Sequence, residues 1–308
     1  MTRPIRYVRP ARVDPARLRL YRRAIWIAVV GNGSLALAKG TVAWLSGSTA
    51  LLATAVDSGT DVAYTLFMAW GLWRSQQPAD EDHPQGHARI EPIVSTVIAL
   101  MMGLAGLAVV RRASQQLLGQ PVTFAWGWPA VTLVGSALVK VIMYLLVRRL
   151  GRQARSPAIQ ASATDNLADV ISSAAALAGV LAAQWLHPLA DPLAGLAVSA
   201  WIFRNAGGIL VENVGYLTGR AAEPELLARI HDAAAGVDGV RGVHRVIADY
   251  VGPQVRAELH ADVDDDISFL QAHDISDAVA EAVEALPEVD LVFVHLEPAS
   301  HHPQKVPE

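Results

Sequence analysis

The stretch TAVDSGTDVAY, residues 54–64, decides how the chain is read. It sets Asp57 and Asp61 four residues apart inside a run otherwise apolar enough for a membrane. On a helix, residues i and i+4 are neighbours, so both carboxylates share one face. The segment ASATDNLADVISS, residues 161–173, repeats the arrangement with Asp165 and Asp169.

Around these pairs the chain carries six apolar runs, at 24–45, 50–73, 92–110, 127–147, 167–185 and 192–211. Each holds about 20 residues, enough to cross a hydrocarbon core of roughly 30 Å at about 1.5 Å per residue. From residue 213 onward acids become frequent, apolar residues alternate over short stretches, and several histidines appear. The expected fold is an α-helical membrane protein: six transmembrane helices followed by a C-terminal soluble α+β domain. The expected boundaries are an N-terminal arm over 1–22, a transmembrane domain over 23–212, a soluble domain over 213–298 and a tail over 299–308.

Arginines set the expected orientation, because positively charged loops stay on the cytoplasmic side. The arm carries Arg3, Arg6, Arg9, Arg12, Arg17, Arg19, Arg22 and Arg23. The loop after the second run has Arg74 and Arg89, and the loop after the fourth has Arg148, Arg149, Arg152 and Arg155. The opposite connections are poor in charge, with Arg111 and Arg112 after the third run. Both termini are therefore expected in the cytoplasm, in a multi-pass protein of the inner membrane. Trp44, Trp73, Trp126, Trp128 and Trp185 fall near helix ends, where indoles anchor at the interface.

Several classes are disfavoured. The arginine-rich start, MTRPIRYVRPARVDPARLRLYRR, lacks the apolar core and cleavage site of a signal peptide. The chain has no cysteine, so disulfides and thiolate metal sites are excluded. A net charge of -4 gives no sign of a nucleic-acid partner. No H-E-x-x-H protease motif and no phosphate-cradling Gly-x-x-x-x-Gly-Lys loop occurs, and the chain is not expected to be an enzyme.

The acids need compensation. One charge at the bilayer centre costs about 2.5–3.5 kcal/mol on insertion scales, so four would cost roughly 10–14 kcal/mol if additive. One answer is that they pair with Lys39 and Lys140, in the first and fourth runs. The other is that the two pairs face each other and enclose a divalent cation, with protons replacing it when it leaves, because crowded carboxylates hold protons more tightly.

Two further groups stand out. QPADEDHPQGHARIEP, residues 77–92, places Asp80, His83 and His87 at i, i+3 and i+7. Imidazole with carboxylate suits zinc or a similar ion, and a solvated polar loop is the alternative. In the C-terminal region, 223–237 and 269–288 have helical spacing, whereas GVHRVIADYVG, QVRAELHADV and VDLVFVHLEP alternate as strands, giving the order αββαβ. His231 reads as a surface residue, and Asp264, Asp265 and Asp266 as a solvated turn.

With these motifs in view, the chain resembles the cation diffusion facilitator family over about residues 20–298. The resemblance rests on the two four-spaced acid pairs and on QPADEDHPQGHARIE after the first. It implies six membrane helices, a cytoplasmic ferredoxin-like domain, a homodimer in the lipid bilayer, and export of divalent metal against protons. Asp57, Asp61, Asp165 and Asp169 would form the transport site, and Asp80, His83 and His87 a loop site. His244, His260, His273, His295 and Glu297 would form cytoplasmic-domain sites at the dimer interface. Zinc- and iron-type members usually have histidine where this chain has Asp165. An all-oxygen set suits manganese better than zinc, so Mn2+ is the expected cargo, with Zn2+ or Fe2+ as alternatives. Asn166 lies about 100° round the helix from Asp165 and reads as a packing group. A membrane-bound metal sensor without flux is the remaining alternative.

Overall fold

The computed structural model describes residues 15–46, 49–119, 128–185 and 189–300; the side chains of 46, 49–54, 56, 57, 128–130, 133, 176 and 179–185 also fall outside the description. Two units divide between Val214 and Gly215.

Six long helices build the first: α1 (Pro15–Ser46), α2 (Thr49–Ser75), α3 (Ile90–Leu117), α4 (Trp128–Ala154), α5 (Pro157–Trp185) and α6 (Ala190–Leu217). The shortest has 27 residues, about 40 Å of helix at about 1.5 Å per residue. Among the described residues, three stretches, Pro15–Leu45, Ile90–Leu117 and Ala190–Leu217, are long and apolar enough to cross a membrane.

Boundaries shift where local chemistry allows. Within the arm expected over 1–22, the described residues from Pro15 on are helical, and arginine is a good helix former. α5 starts at Pro157, well before its apolar run, so Asp165 and Asp169 both lie inside it. α6 continues to Leu217, past the expected limit at 212.

Bundle packing uses small residues, which let membrane helices approach closely. Gly31 of α1 faces Met143 of α4, and Gly71 of α2 faces Val94 of α3; a Cβ at either would collide with the facing side chain. Buried Glu91, at the start of α3, accepts a hydrogen bond from Tyr21 at 2.7 Å and lies 3.8 Å from Arg17, tying α1 to α3. Large apolar side chains such as Leu37, Leu104, Leu138, Ile142 and Val211 are exposed on the outside of the bundle. Trp44 and Trp73 are exposed near the ends of α1 and α2. Trp126 and the side chains of Trp128 and Trp185 lie outside the described residues.

The second unit follows the expected order: α7 (Pro224–Ala235), β1 (Val240–Val251), β2 (Gln254–Val263), α8 (Phe269–Glu284) and β3 (Val289–Pro298). β1 and β2 form an antiparallel hairpin turning at Gly252, whose φ is 69, and β3 runs parallel to β2. Ser268 and Gln271 close a capping box at the start of α8. That helix stops at Glu284 rather than running to 288, because Pro287 disfavours helix in the residue before it. Leu226, Ile230 and Ala234 of α7 and Val279 and Val283 of α8 pack with Val255, Ala257 and Leu259 of β2 in one core. Strand side chains alternate with period two, which leaves the even-numbered β2 residues on the face away from that core.

Candidate metal centres

α2 and α5 bring three of the four bundle carboxylates together. Lys140 of α4 stands between them: its Nζ is 2.9 Å from Asp61 Oδ2 and 2.7 Å from Asp169 Oδ2. The lysine side chain is only 5% exposed, so its ammonium is satisfied by these acids rather than by bulk water. Asp165 joins through Tyr64, one turn after Asp61 on α2, whose hydroxyl donates to Asp165 Oδ2. The side chain of Asp57 lies outside the described residues. Of the two lysines that the sequence offers as partners, Lys140 lies against Asp61 and Asp169, and Lys39 donates to Ser58 Oγ at 2.8 Å. Asn166 is fully buried and donates to the Ser162 carbonyl at 2.9 Å, while its Oδ1 is buried without a hydrogen-bond partner.

Among the described residues, two groups hold one ligand atom each within 4.8 Å of one another: Asp80, His83 and His87, and His244, His260 and Glu297. Among the described residues, Asp61, Asp165 and Asp169 do not meet that tightly. Lys140 spaces them.

The loop group is shaped by its backbone. Gly86, at φ 92, donates its N–H to the His83 carbonyl at 2.9 Å, and the reversal returns His87 toward Asp80. Asp80 lies 3.2 Å from His83 Nδ1 through one oxygen and 3.2 Å from His87 Nε2 through the other. His87 is buried, and its Nδ1 sits 3.4 Å from the Gln77 carbonyl. Both ring nitrogens thus face oxygen acceptors, and Nε2 is the one turned toward Asp80 and a shared ion. Desolvation pushes the Asp80 carboxyl up, but the His83 backbone N–H and the Arg74 and His83 side chains outweigh it and hold the pKa at about 2.

The C-terminal group sits on the sheet face away from the helices. Register pairs His260 with His295 and Asp262 with Glu297 across β2 and β3. On β1 a register shift between Val243 and Arg245 sets an extra residue against β2. Such a bulge re-aims a side chain, and here it lets His244 reach the cluster. His260 Nδ1 is 2.8 Å from Glu297 Oε1, and His244 Nε2 is 3.7 Å from Glu297 Oε2. His295 Nε2 lies 3.6 Å from Glu297, just outside the tight group. The hydrogen bond from His260, aided by the charges of His244, His260 and His295, lowers the Glu297 pKa.

His273 is not brought to this face within the chain. It is exposed on α8, with Asp277 3.7 Å away. One residue that sequence reading missed is Asp262, buried and 3.2 Å from His244 Nδ1. Its signal was present: His260 and Asp262 are two apart, and a strand puts such residues on one face. His231 is exposed beside Asp232. The turn over Asp264, Asp265 and Asp266 is open to solvent, and within it Arg241 donates to both oxygens of Asp264 at 2.7 and 2.6 Å.

Comparison with known proteins gives one consistent answer. A family model described as the cation efflux transmembrane domain matches residues 25–218, and one described as the cation efflux protein cytoplasmic domain matches 222–299. An uncharacterized transporter of Methanocaldococcus jannaschii is 30% identical over 285 residues, spanning 91% of this chain and 99% of its own. The manganese efflux system protein MneS of Bacillus subtilis is 28% identical, over 86% of this chain and 91% of its own. The cation-efflux pump FieF of Cronobacter sakazakii is 30% identical, over 93% and 95%.

Proposed function

The chain belongs to the cation efflux, or cation diffusion facilitator, family of membrane transporters, and from that premise we propose that it exports Mn2+ from the cytoplasm in exchange for protons. It is a transporter rather than an enzyme, and its cargo is a divalent metal ion. In this reading all six long helices cross the membrane with both termini inside. Two copies pair through the cytoplasmic domain, whose family model is that of a dimerising module.

Asp57, Asp61, Asp165 and Asp169 form the transport site. The observation that carries this reading is the convergence of Asp61, Asp165 and Asp169 from α2 and α5 around one ammonium and one phenol. Every donor in the set is oxygen, which favours Mn2+ over Zn2+. The likeness to a protein named for manganese efflux supports the same cargo. Bound metal satisfies the carboxylates in one direction of the cycle and protons satisfy them in the other, since neighbouring acids cannot all stay ionised in an apolar bundle. The loop and sheet-face groups mix nitrogen and oxygen donors, suit Zn2+ or Fe2+ better, and serve to sense cytoplasmic metal.

The test is uptake of Mn2+ and Zn2+, offered separately, into proteoliposomes of the purified protein. Mn2+ flux well above Zn2+, moved toward Zn2+ by Asp165→His, is the expected result. Preferred Zn2+ flux in the parent rules out the manganese assignment. Binding of both metals with flux of neither would make the protein a sensor.

A further inference from the structure

Lys140 is a buried cation that shares its acceptors with the proposed cargo. It comes from α4, a third helix, and one ammonium takes an oxygen from each of the two facing helices. Lysine has three donors, no acceptor and a flexible four-carbon stem. We propose that Lys140 is a tethered competitor for the transported metal, an internal cation that a divalent ion must displace from Asp61 and Asp169 and that returns to expel it. This rests on the transport-site reading above and adds the residue that sets its affinity.

The physical case is one of shared oxygens. A divalent ion held by Asp61 and Asp169 needs the oxygens that now face Nζ at 2.9 and 2.7 Å. An ammonium and a metal ion on the same oxygens repel each other at short range in a poorly screened bundle. Metal binding therefore swings the ammonium away, and the ammonium's return weakens the metal's hold. Lys140 keeps its charge throughout; only its position changes. A set of four carboxylates without it would hold a divalent ion tightly and release it slowly. With it, binding stays weak enough for a transporter that must let its cargo go.

A lysine that only stapled three helices together would behave differently when removed. Its loss would loosen the bundle and weaken metal binding. Loss of a competitor strengthens metal binding.

The experiment uses the full chain in detergent, with His83→Ala, His87→Ala, His244→Ala and His260→Ala to disable the other groups. Mn2+ binding is measured by equilibrium dialysis at one fixed pH, and the membrane-site fraction is that lost with Asp61→Asn. Lys140→Met is expected to tighten this fraction about tenfold or more, and Lys140→Arg to restore weak binding. In proteoliposomes, Lys140→Met should lower both the half-saturating Mn2+ concentration and the maximal flux, as slow release demands. Lys140→Gln provides the same reading if the methionine variant does not run as a single species. Unchanged or weaker Mn2+ binding in a monodisperse Lys140→Met protein overturns the inference while leaving the transport site intact. Absence of Asp61-dependent binding in both parent and Lys140→Met overturns the transport site and the inference with it.

Discussion

The helix bundle and the C-terminal domain both gather acids, and they give them opposite partners. In the bundle, Asp61 and Asp169 meet a lysine and Asp165 meets a tyrosine. On the sheet face, Glu297 meets His260, His244 and His295. An apolar bundle cannot leave carboxylates to water, so it supplies a tethered cation and a phenol donor. The sheet face is open to solvent and gathers imidazoles around its carboxylate. The first arrangement suits a cargo that must pass on, and the second an ion that stays.

That contrast can be broken most directly at the bundle. Asp61→Ala should reduce Mn2+ flux on the order of 100-fold or more, since loss of a ligand outweighs the 10–100-fold typical of supporting partners. Flux within a few-fold of the parent would remove the acids from the proposed transport path. At the sheet face, His260→Ala in the full chain should weaken Zn2+ binding about 10–100-fold, read by titration with a competing chelator. Loss of Mn2+ flux as complete as that from Asp61→Ala would show the two regions are not separate in function. Asp262→Asn should act more gently, weakening the same Zn2+ binding by about tenfold or less, because it orients His244 rather than closing the tight group.

The smallest effect is a pH response that should not appear. A carboxyl with a lowered folded pKa supports the fold above its unfolded value and loses that support only as pH falls through the folded value. Asp80 sits at about 2, so its contacts with Arg74 and His83 should persist from neutral pH down to pH 4. Carboxyl-detected NMR that shows Asp80 titrating above pH 4 would contradict the loop geometry.

Much of this was legible in the sequence, for physical reasons. Four-residue spacing fixes Asp57 with Asp61 and Asp165 with Asp169 on shared helix faces, whatever the bundle does around them. The order αββαβ follows from alternation and turn residues. Lys140 was harder to read, because a buried lysine reports only that some acid is near; its choice of Asp61 and Asp169 depends on how α4 packs. His244 needed the bulge on β1, which leaves no mark in a pattern of alternating residues. Asp262 was hidden by company: one of many acids in HADVDDD, it differs from its neighbours in being buried and in facing His244. His273 lies exposed on α8, and the dimer-interface site that the resemblance implies for it calls for a second copy of the chain.

The central proposal is exchange of metal for protons at the bundle carboxylates. Its most direct test records Mn2+ entry and luminal pH together in proteoliposomes of the parent protein and of an Asp61→Asn, Asp169→Asn variant. Mn2+ entry should be matched by proton exit in the parent, and both signals should vanish in the variant. Mn2+ entry with no proton movement, or proton-coupled Mn2+ entry that survives loss of both carboxylates, would contradict it.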